Sequence, residues 1–73
     1  MLQVGTVFHQ AKSGRLIARL TKEVRPGVFV FGDGRKKVGR VVELIGPVRA
    51  PYASIAVVTS RLGKPGDPIF LES

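Results

Sequence analysis

The chain has 73 residues, 44% of them apolar, no cysteine, and a net charge of +7 from 12 Lys and Arg against five Asp and Glu. That length allows one small domain, and the missing cysteines exclude both a disulfide framework and a thiolate metal site. No apolar run is long enough for a membrane span or a signal-peptide core, and the excess of base is that of a protein working beside a polyanion.

Nine Gly and five Pro cut the chain into short pieces, and Val is nearly twice as frequent as Leu. Stiff β-branched side chains between turn residues favour strands. The first is Leu2–His9, which contains Val4-Gly5-Thr6-Val7 and ends before the turn Lys12-Ser13-Gly14. The second, Arg15–Leu20, would turn Leu16, Ala18 and Leu20 inward and Arg15 and Arg19 outward. A helix over Arg15–Val24 is also permitted, since Leu16, Leu20 and Val24 recur at helical spacing behind a possible Ser13 cap. After Arg25-Pro26-Gly27 comes Val28–Phe31, apolar on both faces. Gly32-Asp33-Gly34 then reads as the tip of a hairpin into Lys37–Ile45. Gly46-Pro47 separates this from Ala53–Val58, and Lys64-Pro65-Gly66-Asp67-Pro68 precedes the last strand, Ile69–Glu72. Six short strands over residues 1–73 predict one all-β domain, a small six-stranded β-barrel whose closure removes exposed edges.

Two sequence features bear on how that barrel is built. Val4-Gly5-Thr6-Val7 recurs as Val38-Gly39-Arg40-Val41, and glycine inside a strand implies close backbone approach or a sharp bend. Strict alternation along Lys37–Ile45 places Val38, Val42 and Leu44 on one face and Val41 and Ile45 on the other. A narrow barrel uses one face of each strand, so the surplus apolar residues must be covered by local loops or by a partner.

Catalytic chemistry has no foothold. His9 stands alone, the five carboxylates are dispersed, and no serine lies in a G-x-S-x-G context. Neither an enzyme nor a cofactor is expected. Gly32-Asp33-Gly34-Arg35-Lys36-Lys37 lacks P-loop spacing, but Arg35, Lys36, Lys37 and Arg40 are candidates for RNA-backbone contact. Aromatic residues are scarce, which disfavours a base-reading surface. The most distinctive stretch is Ile45-Gly46-Pro47-Val48-Arg49-Ala50-Pro51-Tyr52. Two prolines stiffen it, so that it would present Pro47, Val48, Pro51 and Tyr52 at low entropic cost.

The run Val38-Gly39-x-Val41-x-Glu43-x-Ile45-Gly46-Pro47-Val48-x-x-Pro51-Tyr52, with Val4-Gly5-x-Val7-x-His9 before it, resembles the archaeal Gar protein family of H/ACA ribonucleoproteins. The resemblance covers essentially the whole chain. It implies a barrel related to translation-factor domains and a non-catalytic subunit of a cytoplasmic particle for RNA-guided pseudouridine synthesis in rRNA. It further implies docking on the catalytic domain of the pseudouridine synthase subunit, with guide and substrate RNA affected mainly indirectly through substrate loading and product release. Carried onto this sequence, the partner contact falls on Val41, Ile45, Gly46, Pro47, Val48, Pro51 and Tyr52. The chain departs from the family in that no basic tail or Arg-Gly repeat stands within residues 1–73: it is either a minimal version or one whose tail lies outside these residues. The alternative is a small basic barrel that binds RNA directly, as some ribosomal proteins do.

Overall fold

The computed structural model describes residues 2–58 and 64–72. Six strands follow in order: β1 (Leu2–Gln10), β2 (Leu16–Leu20), β3 (Phe29–Phe31), β4 (Lys37–Ile45), β5 (Tyr52–Val57) and β6 (Pro68–Leu71). They close into an antiparallel barrel in the order β1-β2-β5-β4-β3-β6. The expected all-β barrel is what forms, and each strand lies within one residue of its expected bounds. Over 15–24 the chain takes the strand rather than the helix. β2 pairs with β1 on one side and β5 on the other, turning Leu16, Ala18 and Leu20 into the core. A helix there would forfeit both ladders and open the barrel. Among the described residues no helix is long and apolar enough to cross a membrane.

A pseudo-twofold axis relates β1-β2-β3 to β4-β5-β6. Exchanging β1 with β4, β2 with β5 and β3 with β6 returns the same ring of strands. The backbone follows this exchange bond by bond. Gly27 N donates to Val41 O at 2.8 Å, and its counterpart Gly66 N donates to Val7 O at 2.9 Å. Val41 N donates to Val28 O and Val7 N to Asp67 O; Thr21 N donates to Val4 O and Val58 N to Val38 O. The axis passes between Ile17 and Ser54, which face each other across β2 and β5.

The repeated Val-Gly-x-Val is the device that closes each half. At Gly5 a methyl group would collide with the carbonyl oxygen of Arg19, and at Gly39 with that of Ala56. Only glycine lets the neighbouring strand approach this closely. Around each glycine the ladder slips twice. In β1 the register skips Val4 against β6 and Phe8 against β2; in β4 it skips Val38 against β3 and Val42 against β5. Each slip is a β-bulge, which adds a residue and bends the strand.

Those bulges correct the alternation read from β4. Val38 and Val41 both point inward and are buried, whereas Val42 is half exposed. Val4 and Val7 repeat the pattern in β1. The core is completed by Val30, Ala53, Ile55 and Ile69, with Val24 closing one end.

Candidate functional site

The segment 46–51 joins β4 to β5 at one end of the barrel. Gly46 turns the chain out of β4 with φ +89, a conformation that disfavours any side chain. Ala50 N donates to Pro47 O at 3.1 Å, closing a tight turn, and Pro51 O accepts from Leu20 N at 3.1 Å, tying the loop to β2. The loop is thus held at its start by a glycine, at its middle by a turn and at its end by a neighbouring strand. On that frame Val48 is 96% exposed, and Leu44, Ile45 and Pro47 are exposed beside it. A groove of about 530 Å³ opens next to the loop, with buried Leu20 and Val24 and exposed Leu44 and Val48 among its walls. Lys22 and Arg49 also line it.

The contact residues carried over by resemblance therefore separate into two sets. Ile45, Gly46, Pro47 and Val48 are exposed, and Pro51 is half buried, all on one connected rim. Val41 does not belong with them. It is 1% exposed and sits in the core opposite Ile55, because the bulge at Val38 puts Gly39, and so Val41 two residues on, on the inner face. Tyr52 is half buried and turned toward the outer face of the sheet. There its hydroxyl accepts from Arg19 Nη2 at 3.1 Å, and the Arg19 guanidinium lies 5.8 Å from its ring centroid.

The basic residues read as backbone contacts lie elsewhere. Arg35 and Lys36 are exposed in the turn between β3 and β4, where Asp33–Arg35 form a short 3-10 turn closed by Gly32 N donating to Lys36 O at 2.7 Å. The Asp-Gly tip expected there is present, with Gly34 and Arg35 both at positive φ. Lys37 is drawn to β3, its ammonium 4.3 Å from the Phe29 ring centroid. Arg40 is exposed on the outer face between Phe29 of β3 and Ala56 of β5. They form a loose exposed set along one hairpin and build no pocket with the rim. Among the described residues no three His, Asp or Glu side chains are grouped as metal ligands.

One cluster escaped the sequence reading. Phe8, 51% exposed, packs edge-on against His9 at 5.0 Å and Tyr52 at 5.6 Å between ring centroids. Phe8 follows buried Val7 and so faces outward, and the bulge puts His9 on the same side.

No family model matches the chain. Two curated archaeal proteins do. An uncharacterized protein of Methanothermobacter thermautotrophicus is 38% identical over 55 residues, covering 75% of this chain and 60% of that protein's own length. An uncharacterized protein of Methanocaldococcus jannaschii, MJ0782.1, is 37% identical over 57 residues, covering 77% of this chain and 68% of its own.

Proposed function

The chain belongs to the family of the Methanocaldococcus jannaschii protein, and from the resemblance of its Gly-Pro-Val-x-x-Pro-Tyr loop we propose that it is a non-catalytic subunit of an H/ACA RNA-guided pseudouridylation particle. It docks on the catalytic domain of the pseudouridine synthase subunit and assists substrate RNA loading and product release in rRNA modification. One observation carries this reading: a fully exposed Val48 held on a braced loop, continuous with exposed Leu44, Ile45 and Pro47. Solvent gives no reason to hold an apolar rim stiffly, whereas a preordered rim loses little entropy on docking. The neighbouring groove is lined by apolar side chains with Thr21, Lys22, Glu23 and Arg49 beside them, the mixed character of a non-obligate protein interface. The Gly-Pro-Val-x-x-Pro-Tyr resemblance supplies the identity of the partner.

The test is co-elution of the purified protein with the synthase subunit in the absence of RNA. A stable complex is expected. Val48→Asp should abolish it while leaving the thermal unfolding of the free protein unchanged, because Val48 makes no core contact. Failure of the wild-type proteins to co-elute at micromolar concentration overturns the reading.

A further inference from the structure

The two bulges that the pseudo-twofold axis relates are filled differently. Phe8 occupies one with His9 after it, while Val42 occupies the other with Glu43 after it. Both bulges leave an apolar residue exposed, Phe8 by 51% and Val42 by 37%. Their surroundings differ in charge as well as in shape. β1, β2 and β5 contain no carboxylate, and neither does the turn 11–15 between the first two. Lys12, Arg15 and Arg19 on those elements are all exposed.

Arg19 is fixed in place by the Tyr52 hydroxyl and ring, so a guanidinium is held beside an exposed aromatic surface. The other large exposed aromatic, Phe29, already has the Lys37 ammonium over its ring; no described cation sits over Phe8. Stacking a planar base on an exposed ring while flanking cations take the phosphates is how single-stranded nucleic acid is held without sequence preference. Polar groups flank the ring too. Thr6 and His9 are on β1, and Gln10 donates through its amide nitrogen to Gly14 O, leaving its amide oxygen as an acceptor. Such groups suit a ribose hydroxyl, which both donates and accepts.

We infer that the outer face of β1, β2 and β5 is a contact site for single-stranded RNA, with Phe8 stacking a base and Lys12, Arg15 and Arg19 taking flanking phosphates. The site is separate from the rim around Val48, and it stands whether or not the rim binds a synthase subunit.

The test is fluorescence anisotropy of the isolated protein with a labelled, unstructured uridine oligonucleotide at low salt. Binding that weakens as salt rises is expected. Phe8→Ala should weaken it about tenfold, the loss of one stacked base, and Phe8→Tyr should restore it. Phe29→Ala should change it little. Should Phe8→Ala disturb the fold by circular dichroism, Phe8→Leu keeps the apolar bulk without the ring and should show the same loss. No binding at low salt, an equal loss from Phe29→Ala, or equal or tighter binding of a thymidine DNA oligonucleotide each overturns the site.

Discussion

The two halves of the barrel share a backbone and differ in what they show to solvent. β1-β2-β3 and β4-β5-β6 use the same glycine approach, the same pair of bulges and the same bonds from Gly27 and Gly66. Where they agree, the residues serve closure. Where they part, the connections differ: the first half turns sharply through Lys12-Ser13-Gly14, the second through the proline-stiffened loop at Val48. The bulge residues part in the same way, aromatic beside base in one half and aliphatic beside acid in the other. On the surface the departures from the repeat coincide with the candidate sites, whereas in the core they redistribute side-chain volume between the halves.

The comparison is broken most severely at the two glycines. Gly5→Ala and Gly39→Ala each drive a methyl group into a neighbouring carbonyl oxygen, and backbone has little room to give. Each should cost about 3 kcal/mol or more, the upper range for overpacking. Gly39→Ala should be the worse, because the added methyl also meets Ile55 Cγ2 at 2.9 Å. Urea midpoints check this. If either variant melts like wild type, the glycines are not the closure device and the equivalence of the halves fails.

A smaller effect separates the halves in the core. The axis exchanges Ile55 with Ala18 and Leu16 with Ala53, so a large pair, Leu16 opposite Ile55, maps onto a small one. Core mass is therefore unevenly divided although the backbone is not. Ile55→Ala should cost about 3 kcal/mol, since its side chain is fully buried and leaves a cavity. Ala18→Gly should cost only about 1 kcal/mol, chiefly backbone entropy. Equal losses would mean that the small pair is as tightly supported as the large one.

The strands were legible because glycine and proline bound each apolar run, and because Leu16, Ala18 and Leu20 alternate in a way that serves two ladders at once. The facing of β4 was not, because alternation assumes an unbroken pleat and two bulges break it. The same bulges set the facing of Val41, which the resemblance had carried into the contact set and which lies in the core. The rim was legible for a different reason: prolines and a glycine state their backbone demands in the sequence itself. Phe8 was not legible either, because its counterpart in the repeat, Val42, alternates onto the face of Val38 in the sequence. An apolar residue in a strand gives no sign of which face a bulge will turn it to.

The finest test uses the two glycines that begin or end the differing connections. Gly14 and Gly46 sit at φ +92 and +89, and neither would place a methyl group against a close neighbour. Substitution by alanine therefore costs only the left-handed backbone, about 1 kcal/mol at each position. Stability alone will not distinguish them. Binding should. Gly46 sets the direction in which the chain leaves β4 and so where Val48 is presented, whereas Gly14 closes a turn that presents nothing to the rim. Gly46→Ala is expected to weaken association with the synthase subunit by more than its loss of stability explains, and Gly14→Ala to leave association unchanged. Matched stability with matched binding would show that the loop reaches its partner without preorganisation, and the contrast between the two connections would then lie in composition rather than in shape.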